Sequence, residues 1–167
     1  TFDEAACPPF DVEAINSSFG NAANTYSWQL DGKEISTSDS YFSHTLTNDT
    51  GSAEVHTLSL TATNPHDCQH TYSTELTVYA DVLASFTMDT TAGCNPLLVG
   101  FNNISSTSTK SGGSLLWNFD DGSFSQNENP HHIFINPSRR NDTTFTISLR
   151  ATSPHRCGDD TSQTVTV

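Results

Sequence analysis

The stretch Trp117-Asn118-Phe119-Asp120-Asp121-Gly122 decides the fold of this chain, and a shorter version of it, Trp28-Gln29-Leu30-Asp31-Gly32, occurs earlier. In both, a tryptophan on an extended segment is followed by an Asp-Gly pair. A buried indole supplies the largest apolar area available to a small β-sandwich. The Asp-Gly pair tolerates the positive φ that a tight hairpin needs. We therefore expect Trp28 and Trp117 to be structural core residues on central strands.

Two cysteines flank each tryptophan, so the chain carries one pattern twice: Cys7, Trp28 and Cys68, then Cys94, Trp117 and Cys157. The step from tryptophan to second cysteine is the same in both copies, since 68 − 28 = 40 and 157 − 117 = 40. A repeated unit of about 85 residues indicates small tandem domains. We predict domains over 1–80 and 81–167, with a truncated first strand in the first domain.

Alternation of apolar and polar residues, as in Thr144-Phe145-Thr146-Ile147-Ser148-Leu149-Arg150, is typical of half-buried strands, and helical periodicity is absent. Asp-Gly, Asn-Pro and Ser-Gly turn signals separate such runs. The sequence therefore predicts an all-β protein made of two β-sandwiches. The expected strands lie near 10–16, 25–30, 40–46, 55–62 and 71–79 in the first domain, and near 83–89, 97–103, 114–119, 131–135, 143–151 and 161–167 in the second.

The composition indicates a secreted or surface-exposed chain. The formal net charge is −13 and lysine plus arginine number 6, so the clustered cations that nucleic acid requires are missing. Four cysteines without a Cys-x-x-Cys pair suit disulfides in an oxidising compartment better than a metal site. No apolar stretch is long enough to span a membrane, and the start, Thr1-Phe2-Asp3-Glu4, does not look like a signal peptide. We therefore expect an extracellular segment that was processed or excised.

The segment 117–122, followed by Asn129-Pro130-His131-His132-Ile133-Phe134, resembles the signature of the polycystic kidney disease (PKD) domain, which is Trp-Asp-Phe-Gly-Asp-Gly and then Asn-Pro-x-His-x-Tyr. The flanking runs 96–101 and 164–167 extend the resemblance over the second repeat. The first repeat is one residue shorter after its tryptophan and lacks the Asn-Pro-His, so its assignment rests on the duplication. The resemblance implies an immunoglobulin-like, PKD-type sandwich in each domain.

The cysteine-containing repeats look like those of large bacterial surface and secreted proteins, including adhesins. The resemblance therefore implies a non-catalytic extracellular spacer and interaction module, whose partners are neighbouring repeats and a surface glycan or protein. The alternative is a glycan- or protein-binding accessory module of a secreted degradative enzyme, which would use surface aromatics such as Tyr41, Phe42 and Phe124. Catalysis is not expected, because no Gly-x-Ser-x-Gly, His-Glu-x-x-His or glycine-rich phosphate loop occurs.

Two acidic pairs offer candidate ligands for Ca²⁺, a hard cation that prefers oxygen. They are Asp120 with Asp121 and Asp159 with Asp160, and Glu128 lies near the first pair in sequence. No linear calcium loop occurs, so solvated acidic loops without a cofactor are the favoured interpretation. The run His66-Asp67-Cys68-Gln69-His70 is interpreted as a polar loop rather than a metal cluster. His131 and His132 should face opposite sides of one strand and so not share a metal.

Topology bears on the cysteine pairing, because the strand after the first cysteine of each domain runs parallel to the strand before the second. The two cysteines of one domain should then lie about 20–25 Å apart, whereas a disulfide tolerates only about 7 Å between Cα atoms. This favours a Cys7–Cys157 bridge between domains, with Cys68 and Cys94 unpaired or paired to neighbouring repeats. The alternative pairs Cys7 with Cys68 and Cys94 with Cys157.

Overall fold

The structure, a computed structural model, describes residues 4–20, 23–38, 40–106, 112–138 and 140–167. Every regular element in that part of the chain is a β-strand. The chain divides into two compact units, unit 1 at Thr1–Ala80 and unit 2 at Asp81–Val167. Each unit has two sheets that enclose one apolar core. The predicted fold class, all-β with two tandem immunoglobulin-like sandwiches, is confirmed.

The described part of unit 1 forms strands β1 (Ala5–Ala6), β2 (Phe10–Ile15), β3 (Thr25–Leu30), β4 (Lys33–Ser36), β5 (Tyr41–Leu46), β6 (Glu54–Thr63) and β7 (Gln69–Val78). One sheet has the order β1-β7-β6-β3-β4, and the other pairs β2 with β5. Neighbouring strands are antiparallel, except that β1 runs parallel to β7. The second sheet is therefore only two strands wide within the residues described.

Unit 2 forms strands β8 (Phe86–Met88), β9 (Leu97–Asn103), β10 (Ser114–Asn118), β11 (Phe124–Ser125), β12 (His131–Phe134), β13 (Thr144–Thr152) and β14 (Gly158–Thr166). One sheet has the order β11-β10-β13-β14 and the other has the order β12-β9-β8. All of these pairs are antiparallel. Unit 2 differs from the described part of unit 1 in β8, a third strand on the sheet that corresponds to β2-β5.

A tryptophan lies in the core of each unit. Trp28 on β3 and Trp117 on β10 are both buried. Each indole N–H donates a 3.0 Å hydrogen bond to a backbone carbonyl ten residues further on, that of Ser38 in unit 1 and that of Asn127 in unit 2. The bond satisfies the one polar atom of a ring whose remaining surface is apolar. Both tryptophans thus fix a loop as well as filling a core.

A buried asparagine holds the last strand of each unit. Asn48 donates from Nδ2 to the carbonyl of Val78 at 2.8 Å, and Asn136 donates to that of Val167 at 2.7 Å. The second amide hydrogen of each side chain goes to a carbonyl in its own turn, and each Oδ1 accepts two further hydrogen bonds there. The duplication therefore extends to matching hydrogen-bond networks.

The strands that differ from the sequence prediction are the short edge strands. β4 and β11 have four and two residues and were not predicted, because their length gives no readable period. β8 is three residues long where 83–89 was expected, and β14 begins at Gly158 rather than at 161. β1 has two residues and lies beside β7, so β2 has a single strand neighbour among the described residues.

Candidate functional site

The acidic turn of unit 2 begins with Asp120, which adopts a left-handed φ of 63° ahead of Gly122. Its backbone N–H donates to Asn118 Oδ1 at 3.0 Å, and its own carboxylate Oδ2 accepts from the backbone N–H of Thr146 at 2.9 Å. The Asp120 side chain therefore ties the hairpin to β13. Asp120 is engaged in a structural hydrogen bond within the turn.

Asp121 lies beside a histidine. Its carboxylate accepts hydrogen bonds from the backbone N–H and hydroxyl of Ser123, and lies 2.7 Å from His132 Nε2. Burial alone would raise the pKa of Asp121, but the hydrogen bonds from Ser123 and His132 outweigh it and leave the pKa below 3.8. His132 stacks on Phe119 with centroids 4.2 Å apart, whereas its neighbour His131 is exposed.

Unit 1 repeats this pairing with a histidine from a different strand. Asp31 has a φ of 51°, and its carboxylate accepts from the backbone N–H of Thr57 at 2.8 Å. The other oxygen lies 2.8 Å from His56 Nδ1. The hydrogen bond from His56 is the main reason that the pKa of Asp31 is lowered from 3.8. The histidine comes from β6 here and from β12 in unit 2, so both turns have acquired an acid–imidazole pair in different ways.

The second acidic pair, Asp159 and Asp160, lies on β14. Asp159 Oδ2 accepts from the backbone N–H of Ala84 at 2.8 Å, and Asp160 forms an exposed ion pair with Arg150 at 3.2 Å. Glu128 is exposed in the loop before β12. Over the described ranges, no three His, Cys, Asp or Glu side chains come together as a possible metal site. The four aspartates have separate structural partners, and the expectation that they bind no Ca²⁺ stays a prediction.

The three aromatic residues expected at the surface divide into two classes. Tyr41 and Phe124 are exposed, at 61% and 60% of their surface. The expectation for Phe42 was wrong, because Phe42 is only 2% exposed. It alternates with Tyr41 along β5, faces the core opposite Ala14, and packs on Trp28 with ring centroids 5.5 Å apart. Phe42 is therefore a core residue and not a binding residue.

The loop that contains His66 and Cys68 is organised by one asparagine. Asn64 Oδ1 accepts from the backbone N–H groups of both residues, at 2.9 and 3.0 Å. His70 lies on β7, where it lines an apolar groove of unit 1. The structure therefore assigns the loop a turn-forming role and separates His70 from it.

The cysteines are not equivalent. Cys7 and Cys157 are disulfide-bonded, and Cys68 and Cys94 are exposed free thiols. The predicted Cys7–Cys157 disulfide is present, and the alternative pairing within each domain is therefore wrong. Cys157 is buried in a loop closed by hydrogen bonds between Ser153 and both Arg156 and Cys157.

Unit 1 contains an apolar groove of about 510 Å³ that no motif indicated. It lies between β2 and the inner face of β3, β6 and β7. We call it the unit 1 groove and define it by Ala14, Ile15, Trp28, Leu60, Ala62 and Tyr72. Ile15 and Tyr72 are exposed apolar side chains at its rim. The sequence does contain a signal for this groove. In the alignment of the two repeats, Ala14 corresponds to Phe101, so unit 1 lacks one core phenyl ring.

Comparisons with known proteins give similarity in fold. No family model matches the chain, and no curated protein matches it in sequence. Among solved structures, the PKD1 domain of Vibrio anguillarum Epp is 23% identical and the PKD1 domain of Vibrio cholerae metalloprotease PrtV is 24% identical. Each match covers 52% of this chain and 93% or 96% of the other, with TM-scores of 0.39 and 0.40. The amphioxus IgVJ-C2 molecule matches 98% of this chain and 99% of its own at 9% identity and a TM-score of 0.41.

The lowered pKa of Asp31 predicts a pH-dependent stability of unit 1. A carboxyl whose folded pKa lies below its unfolded value stabilises the fold above the unfolded pKa, and that stabilisation is lost as pH falls through the folded pKa. We expect the melting temperature of Asp31→Asn to fall less steeply than that of the wild type between about pH 5 and pH 2. Asp49→Asn, at an exposed acid of the same unit, is the control and should follow the wild type. Equal slopes for Asp31→Asn and the wild type would refute the assignment.

The structural partners of the four candidate aspartates predict stability without Ca²⁺. Since Asp120, Asp121, Asp159 and Asp160 already accept hydrogen bonds or pair with protein groups, we expect EDTA to leave the melting temperature unchanged. Calorimetric scans with EDTA and with millimolar CaCl₂ or MgCl₂ make the comparison. A rise specific to Ca²⁺ that is absent in Asp120→Asn would contradict this expectation and establish a calcium site.

Proposed function

We propose that this chain is a non-catalytic extracellular spacer and interaction module of a larger cell-surface or secreted protein, such as an adhesin. One observation carries the proposal: two close acid–imidazole pairs of the described residues, Asp31 with His56 and Asp121 with His132, hold turns and strands. Asp31 and Asp120 tie their turns to β6 and β13, and His56 and His132 each pair with a turn carboxylate. A general base or nucleophile needs a reactive partner group within reach; Asp31 instead binds the backbone of Thr57, and His132 stacks on Phe119.

The extracellular location is supported by the disulfide and the surface composition. A disulfide persists in oxidising compartments and is rare in the cytosol. The net charge of −13 keeps a chain soluble and does not favour polyanionic partners. Among the described residues, the structure has no helix that is long and apolar enough to cross a membrane.

The spacer role follows from covalent connectivity. The Cys7–Cys157 bond closes residues 7–157 into a loop, so tension applied at the two ends of the chain passes through the disulfide. Except for Ala6, the strand β14 and Val167, the residues of both hydrophobic cores lie within that loop. A module of this kind transmits force with little change in length, and we propose that Cys68 and Cys94 bond to neighbouring repeats in the same way.

The spacer proposal predicts a redox-dependent extension under force. Pulled by its ends, the oxidised chain should yield only the residues outside the loop, six at one end and ten at the other, or about 55 Å. After reduction, the whole chain should extend to about 580 Å. Optical-tweezers traces with and without dithiothreitol measure both lengths, and Cys7→Ser should behave as reduced in either buffer. Full extension of the oxidised wild type would contradict the proposal.

The alternative, an accessory module that binds glycan or protein, is favoured at the surface by Tyr41 and Phe124. Both rings are exposed, and aromatic rings are common contacts for sugars and protein partners. Tyr41 belongs to unit 1 and Phe124 to unit 2. A glycan array probed with the wild type, and then with Tyr41→Ala and Phe124→Ala, distinguishes this role: binding lost in either variant supports it, and no binding to any glycan speaks for the spacer.

A further inference from the structure

The four cysteines lie in two kinds of loop, and each kind occurs once in each unit. Cys7 and Cys94 stand directly before β2 and β9, and we call these two loops the first-cysteine loops. Cys68 and Cys157 stand in the turns from β6 to β7 and from β13 to β14, which we call the second-cysteine loops. The Cys7–Cys157 disulfide therefore joins a first-cysteine loop to a second-cysteine loop.

The two second-cysteine loops have the same backbone conformation. In unit 1, Asn64 N–H donates to the carbonyl of Cys68 at 3.0 Å, and the carbonyl of Asn64 accepts from Asp67 N–H at 3.0 Å. The loop of unit 2 has both hydrogen bonds at the equivalent positions, at 2.7 and 3.0 Å. The residue before each cysteine, Asp67 or Arg156, has a left-handed φ, of 60° and 67°. The free Cys68 is therefore presented in the same way as the bonded Cys157.

The bonded cysteines are less exposed than their free equivalents. Cys157 is buried, with 3% of its surface exposed, and Cys7 is half-buried. Cys68 and Cys94 are exposed free thiols. The chain thus carries one unused loop of each kind, and these two loops are of the types that the existing disulfide joins.

The loop that lies beside Cys94 carries a positive charge. Asn95, the residue after Cys94, exchanges two hydrogen bonds with the backbone of Asn136, at 3.1 and 3.0 Å. A 3.0 Å bond from Asn136 Nδ2 to the carbonyl of Asn141 closes that neighbouring loop, and the exposed Arg140 lies within it. The first-cysteine loop of unit 2 is therefore flanked by a guanidinium group.

Unit 1 has a negative charge at the equivalent position. Asn48 holds the corresponding loop to Val78, which pairs with Ala6, the residue before Cys7. The residue that follows Asn48 is Asp49, whose side chain is exposed. The two first-cysteine loops therefore differ in the sign of the charge beside them.

The second-cysteine loops carry charges of the complementary sign. The residue before the bonded cysteine of unit 2 is Arg156, and the residue before the free cysteine of unit 1 is Asp67; both are exposed. The bonded pair of loops therefore combines the carboxylate of Asp49 with the guanidinium of Arg156. The unused pair combines the guanidinium of Arg140 with the carboxylate of Asp67. Opposite charges on two surfaces favour their encounter and disfavour the wrong partner.

We propose that Cys94 of one copy of this chain forms a disulfide with Cys68 of a second copy, in the same combination of loops as the existing bond. The inference rests on the proposed spacer function and names the partner and the pairing rule. Pairing of two identical loops would instead bring like charges together, Arg140 with Arg140 or Asp67 with Asp67. Each copy offers one loop of each kind, so the pairing is heterologous and continues from copy to copy.

The bond forms by exchange with a small disulfide such as oxidised glutathione. The Cys68 thiolate attacks one sulfur of the oxidant and releases one glutathione thiolate. The Cys94 thiolate of the second copy then attacks the Cys68 sulfur of the mixed disulfide and releases the other. Two protein thiols are thereby oxidised, the oxidant is reduced to two thiols, and the two protons of the protein thiols pass to them.

The test uses the whole chain with Cys68→Ser or Cys94→Ser, which leaves one free thiol and the Cys7–Cys157 bond in place. In glutathione buffer, we expect an equimolar mixture of the two variants to form a disulfide-linked dimer on a non-reducing gel. Either variant alone should dimerise about five-fold or more slowly. The wild type should form a series of oligomers, and the variant with both serines should form none. Peptide mapping should find Cys68 joined to Cys94.

The charge rule is tested by Asp67→Arg in the Cys94→Ser chain. Unit 2 has an arginine with the same left-handed φ at this loop position, so circular dichroism and melting should be unchanged. Dimer formation with the Cys68→Ser chain should slow about two- to five-fold at low salt, and the difference should shrink at high salt. Arg140→Asp in the Cys68→Ser chain should restore the rate. That rescue distinguishes a contact between copies from an altered reactivity of the thiol.

Three results would overturn the inference. Homodimers of either variant that form as fast as the mixed dimer would show that the thiols pair without selection. A monomeric wild type with Cys68 and Cys94 joined in one copy would make the pairing internal. A mixture that gives no dimer while glutathione modifies both thiols would show that the loops do not meet. The extension under force depends on the Cys7–Cys157 bond and can be measured with both serines present, so failure here leaves that test of the spacer function intact.

Discussion

The indole on the central strand of each sandwich is the constraint on which the rest of the structure depends. Trp28 and Trp117 each fill a core and donate their N–H to a carbonyl ten residues further on. That bond sets the path of the chain from the tryptophan strand to the strand of the other sheet, and so aligns the two sheets. An Asp-Gly turn lies within the ten-residue span, and one aspartate of each turn, Asp31 or Asp120, accepts a hydrogen bond from a backbone N–H of the neighbouring long strand. Turn, loop and core are therefore parts of one repeated arrangement.

The two units differ in what surrounds that indole. In unit 2, Phe86 and Phe101 pack on Trp117, and β8 completes the second sheet. In unit 1, Ala14 stands where Phe101 would be, Phe42 supplies one ring from β5, and the remaining space is the unit 1 groove. The same framework thus has a third strand on its second sheet in unit 2 and none there among the described residues of unit 1.

Much of the fold could be predicted from the sequence, because the patterns that indicate it lie within single segments or occur in both repeats. The tryptophans, the Asp-Gly turns and the long strands β6 and β13 have patterns that a single segment displays. The Cys7–Cys157 pairing followed from strand directions. Phe42 was misplaced because β5 has no continuous alternation, and β4 and β11 are too short for a period. The groove is found only by comparing the two repeats, because its space corresponds to a phenyl ring that the first repeat lacks. The acid–histidine pairs join residues of different segments, so no single segment of the sequence indicates them.

The central claim is that unit 1 has the framework of unit 2, without a counterpart of β8 among the described residues. Amide hydrogen exchange read by NMR tests it most directly, by comparing Ile15 and Ser17 with their counterparts Asn102 and Ile104. Asn16 N–H donates to Ser40 beside β5, so the N–H groups of Ile15 and Ser17 point away from β5, towards an edge that has no strand among the described residues. The account predicts rapid exchange at these two residues and slow exchange at Asn102 and Ile104, which β8 protects. Equal protection at the two pairs would contradict it, since the β2 edge would then be covered within this chain.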